Sequence, residues 1–82
     1  MKSFDIVTCK ASGKFFGNEY IIVSYGEQED GKYANLIDIT GKDGSEIMNV
    51  INNMPINERD TDLSVETSVL KEVFEFKSRV RI

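Results

Sequence analysis

Three cations alternate near the end of the chain, Lys77, Arg79 and Arg81. On a strand, alternate residues lie on one face about 6.6 Å apart. That spacing suits a nucleic-acid backbone or an acidic partner. A second group, Lys10, Lys14, Phe15, Phe16 and Tyr20, interleaves cations with rings. Those are the ingredients of a platform on which single-stranded bases stack. The opposite charge gathers at Glu27, Glu29 and Asp30, and again at Glu58, Asp60 and Asp62. Acidic lobes of this kind dock basic partners, including the nucleic-acid-binding surfaces of other proteins.

Catalytic chemistry has less to stand on. The 82 residues contain no histidine, so the usual general base near neutral pH and the commonest transition-metal ligand are both missing. A single cysteine, Cys9, makes neither a zinc cluster nor an internal disulfide, and reads as a small buried apolar residue. No phosphate-binding glycine loop, dinucleotide fingerprint or nucleophile elbow occurs. Asp60-Thr61-Asp62 lacks the glycine and glutamate spacing of a calcium loop. The expectation is a protein that is not an enzyme and holds no cofactor or metal.

Charge is unevenly spread. Residues 27–75 hold twelve acids against Lys32, Lys42, Arg59 and Lys71, a block of −8 within a chain of net charge −4. Both flanking segments are mildly basic. No apolar run approaches the ~20 residues of a membrane span, and Asp5 and Lys10 interrupt what would be a signal-peptide core. With one unpaired cysteine, this points to the reducing cytosol and away from membranes.

These groups must be held by a single small domain covering 1–82. Phe4–Lys10 is rich in β-formers and ends at Ser12-Gly13, after which Gly13–Asn18 is a glycine-bracketed loop. In a domain this small the rings of Phe15 and Phe16 are expected in the core or plugging one end of the sheet. Tyr20–Tyr25 is a strong strand, and Asp30-Gly31 marks a hairpin to Lys32–Thr40. A three-residue loop, Glu29-Asp30-Gly31, sets Ile21 opposite Ile39 and Val23 opposite Ile37. That register gathers Ile21, Val23, Tyr25, Ile37 and Ile39 on one face. Ser45 reads as the N-cap of a helix over Glu46–Met54, whose Ile47, Met48, Val50 and Ile51 recur at helical spacing until Pro55 stops it.

Residues 62–73 fit both a strand, with Leu63, Val65, Thr67 and Val69 alternating, and a helix; β-branched content tilts the reading to strand. Phe74 to Ile82 alternates as a final strand. The order β-β-β-α-β-β is an α+β fold: a small antiparallel sheet of four or five strands with one helix. In connectivity alone it resembles an OB-fold, a partly open five-strand barrel. Gly41-Lys42-Asp43-Gly44 before a helix is similar to the RNA-clamping loop of KH domains. However, a strand stands upstream where KH domains have a helix, and Asp43 and Glu46 would repel a phosphate there.

The leading functional expectation is a cytosolic protein-binding domain acting as an inhibitor, adaptor or regulator, a monomer or small homo-oligomer. Its size and its richness in Asn, Ile and Lys fit a phage-type accessory protein. Its contacts would be Glu27, Glu29 and Asp30 together with Lys77, Arg79 and Arg81. The alternative is an OB-like binder of single-stranded nucleic acid using Lys10, Lys14, Phe15, Tyr20, Lys77, Arg79 and Arg81.

Overall fold

The computed structural model describes residues 1–53 and 61–80. Its elements run β1 (Asp5–Cys9), β2 (Glu19–Gln28), β3 (Gly31–Asp38), α1 (Gly44–Asn52), β4 (Leu63–Glu66), α2 (Thr67–Val73) and β5 (Phe74–Arg79). All strand pairs are antiparallel, in the order β4-β3-β2-β1-β5. The fold is therefore α+β, with five strands and two helices among the described residues. β4 and β5 are the edges of an open sheet and do not pair with each other, so the chain does not adopt the OB-like closure.

Apolar residues of both parities in β1 and β2 have somewhere to go, because the sheet has a core on each face. On one face Val7, Cys9, Tyr20, Ile22, Ala34 and Leu36 pack with Leu70 of α2 and Phe74. On the other, Ile6, Ile21, Val23 and Ile39 pack with Ile51 of α1, joined by Ile37, Ile47 and Val50. Ile21, Val23, Ile37 and Ile39 thus share a face beneath α1, as the alternation requires.

They get there by a different register from the one expected. Gln28 pairs with Gly31 across a two-residue turn, Glu29-Asp30, and Ile21 pairs with Ile37. Gly31 carries φ +140°, a conformation that L side chains rarely adopt. The extra residue is not at the turn but at Val23, where the ladder shifts between Ile22 and Ser24. This bulge falls where β1 gives out and the β2–β3 hairpin runs on without it, the kind of place where a local increase in twist is tolerated. Its consequence is a change of phase. Ser24 joins Asn35 on the α1 face, while Tyr25 pairs with Ala34 and so lies on the α2 face, not with Ile21 and Val23.

The helix begins earlier than Ser45 implied. Asp43 is the N-cap, its Oδ1 accepting from the Glu46 amide at 2.9 Å. Carboxylate and first-turn glutamate both suit the positive end of the helix dipole. Met54, the expected last helical residue, lies outside the described residues. The ambiguous stretch 62–73 divides: Leu63–Glu66 is a strand on β3, and Thr67–Val73 is a helix. Leu70 decides this, since a helical turn is what brings it into the core at 2% exposure.

Replacing Ile22 with Ala is expected to cost about 2–5 kcal/mol in urea unfolding, because it opens a cavity in a sealed layer. Asp43→Ala is expected to cost about 1 kcal/mol, and Ser45→Ala to stay within about 0.5 kcal/mol, which separates the two cap assignments.

Candidate functional site

β1 and β2 are joined by residues 10–18, and the backbone of this loop is bonded within itself, to Cys9 at its base and to Val73. Cys9 donates to the Asn18 carbonyl and Gly17 to that of Cys9, both at 2.9 Å; Phe16 donates to Gly13 and Asn18 to Phe15. Lys10 donates to Val73 at 2.8 Å, which ties the loop to the junction of α2 and β5. Gly13 and Gly17 sit at φ +135° and +83° with open space around them. Two successive turns so anchored leave the intervening side chains no route inward. Phe15 is 51% and Phe16 65% exposed, and the Lys14 ammonium lies 5.6 Å from the Phe15 ring centre. This corrects the expectation that both rings lie in the core or plug one end of the sheet.

The core aromatics are instead Tyr20 and Phe74, edge to face at 5.6 Å and 87°. Tyr20, 3% exposed, is therefore closed to a base. The cationic row on the last strand does not form either. β5 carries its own bulge, with Ile6 opposite Ser78 and Val7 opposite Phe76, which leaves Lys77 as the extra residue. Phase flips there as it does at Val23. Arg79 pairs with Asp5 and faces the α2 side, whereas Ser78 and Val80 turn to the α1 side. Lys77 bonds to Glu19. Arg81 lies outside the described residues, as do Glu58 and Asp60.

Arg79 does structural work. Its Nε donates to Asp5 Oδ1 at 2.6 Å and its Nη2 approaches Oδ2 at 3.4 Å. The Asp5 side chain is 1% exposed, and its Oδ2 also accepts from the Lys2 amide at 2.8 Å. Phe4, at φ 72°, lies in the left-handed region and is held between Ile22 and Val80 by backbone bonds. Tyr25 completes the corner, its hydroxyl donating to the Met1 carbonyl at 2.7 Å; burial first, and then the Asp5 charge, push that hydroxyl's pKa up.

At the far end of β2 the acids are brought together as a hairpin tip. Glu27 faces Lys32 across the ladder, Asp30 accepts from the Tyr33 hydroxyl at 2.7 Å, and Glu29 is exposed. Ten residues of β2 separate this tip from the aromatic loop, about 33 Å at strand rise. Asp62 is committed to the Asp38 amide at 2.8 Å. Among the described residues no group of three or more Cys, Asp or Glu side chains is placed to hold a metal ion. Among them, too, no helix is long and apolar enough to cross a membrane.

The surface that emerges is a backbone-bonded loop carrying Lys10, Lys14, Phe15 and Phe16, residues that the sequence already groups together; what differs is the placement of the two rings, expected inside a small domain and found in water. The glycine bracket Gly13–Gly17 was the available signal, since a tight connection between two strands with full faces leaves its tip outside. Comparisons with models of protein families, with curated proteins and with solved structures find no match to this chain.

The Asp5 carboxyl is held below its ordinary pKa chiefly by the hydrogen bond from Arg79, with burial acting in the opposite direction. A carboxyl depressed in the folded state contributes stability that is present above the unfolded value, near ~4, and lost as pH falls through the folded value. Asp5→Asn is therefore expected to flatten the fall of the urea midpoint below about pH 4, relative to wild type.

Proposed function

We propose that this chain is a small, non-enzymatic protein-binding domain of the cytosol that acts as an inhibitor, adaptor or regulator of a partner protein. The observation that carries the reading is the exposure of Phe15 and Phe16 on a loop whose backbone is internally bonded. Exposed rings cost less in ordering when the backbone of their loop is already fixed, and aromatic side chains are enriched at the buried centres of protein interfaces. The acidic tip, with exposed Glu27 and Glu29, is a second surface suited to steering a basic region of a partner.

Single-stranded nucleic acid is the weaker reading. Of its seven residues, Tyr20 is in the core, Lys77 is engaged by Glu19 and Arg79 by Asp5. Only Lys10, Lys14 and Phe15 remain together as a described platform, in a chain of net charge −4.

Affinity capture from lysate followed by mass spectrometry, with and without nuclease, separates the two. Nuclease-resistant co-purification is expected, together with no mobility shift of labelled single strands at ~50 mM salt, where counterion release favours binding most. Capture abolished by nuclease, with oligonucleotide affinity that falls steeply as salt rises, would reverse the assignment.

A further inference from the structure

We infer that the loop 10–18 is the docking element, and that it fits an apolar pocket rimmed by carboxylates on a partner protein. Phe16 enters the pocket, while Lys14 and Lys10 meet the rim. The inference rests on the protein-binding reading and adds to it the chemistry of the partner.

Phe16 is the most exposed large apolar side chain of the described residues, at 65%. Its presentation is prepaid: the bonds Phe16 to Gly13, Gly17 to Cys9 and Asn18 to Phe15 already fix the backbone. Two glycines at positive φ hold turns that other residues would strain. A preorganised loop loses little freedom on binding, and a ring with few rotatable bonds is an efficient anchor.

Charge selects the pocket's rim. Residues 10–18 contain Lys10 and Lys14 and no acid, although the whole chain carries net −4. The Lys14 ammonium beside the Phe15 ring keeps a cation next to the apolar tip. A wholly apolar pocket would have to desolvate that cation without recompense; carboxylates at the rim pair with it instead.

Two other occupants fit less well. In a second copy of this chain the acidic tip at Glu27, Glu29 and Asp30 has no apolar side chain within residues 26–32 to receive a ring, and exposed Phe76, beside Glu75, stands on an edge strand and not in a pocket. An anionic lipid surface would attract the two lysines yet repel a molecule of net charge −4.

The test uses the full chain and the partner recovered by nuclease-resistant capture; the recovery alone counts for nothing here. Phe16→Ser is expected to weaken partner binding at least about tenfold, as an anchor residue should. Phe16→Trp is expected to stay within about threefold, and Lys10→Glu with Lys14→Glu to weaken binding about tenfold at low salt and less at high salt. Thermal unfolding should be unchanged in Phe16→Ser, because Phe16 belongs to neither core cluster. The wild type should scatter light as a monomer and fail to sediment with phosphatidylserine vesicles.

Undiminished partner binding by Phe16→Ser would overturn the loop assignment and leave the protein-binding reading standing. Salt-independent loss in the double lysine variant would overturn the carboxylate rim. Self-association, or vesicle sedimentation, that Phe16→Ser abolishes would assign the loop to a second copy or to a lipid surface instead. No nuclease-resistant partner at all would remove the inference and the reading beneath it together.

Discussion

Ile21 and Ile22 are neighbours in the chain, point to opposite faces of the sheet, and are both sealed from water. That double burial is the constraint on which the rest depends. A sheet with one wet face needs apolar residues of one parity only; here β1 and β2 supply both, so both faces must be covered. Neither helix is long enough to hold itself together in water. α1 exists because Ile47, Val50 and Ile51 meet the face of Ile21, and α2 because Leu70 meets the face of Ile22. At each face the sheet and its helix stabilise each other.

Such a sheet leaves polar groups few places to hide, and they are accounted for. Among the described residues no buried side-chain nitrogen or oxygen lacks a hydrogen-bond partner. Asn35, nearly sealed, donates to Ser24 and accepts from Ser64, a bridge across β2, β3 and β4. Asp5 is the costlier case, a carboxylate taken out of water and compensated by Arg79 and the Lys2 amide. This arrangement consumes Arg79, one of the cations that looked most available. Two bulges redistribute the remaining charges. Lys77, the bulged residue of β5, turns inboard to Glu19, and the bulge itself interrupts an edge that would otherwise invite pairing with another strand.

What is left outside follows from what the two cores exclude. The interior already holds Tyr20 against Phe74 and a full set of branched aliphatics. Phe15 and Phe16 sit in a connection whose turns are closed by its own backbone, so they remain at the surface. The acidic tip stands at the other end of β2, and the molecule presents chemically opposite features at the two ends of one strand.

Element identity was legible in the residues: the β-rich runs of the first three strands, the amphipathic helix before Pro55, the alternation from Phe74, and the α+β class these imply. So was the shared face of Ile21, Val23, Ile37 and Ile39. These properties are local, set by side-chain periodicity and by turn and cap preferences that act within a few residues. Tertiary structure alone decided where the extra residues at Val23 and Lys77 fall, that 62–73 divides into a strand and a helix, that Arg79 belongs to Asp5, and that the paired phenylalanines stay in water. The reason is geometric. A bulge shifts every later side chain to the other face, and its position is chosen by strands distant in sequence that must fill two cores at once.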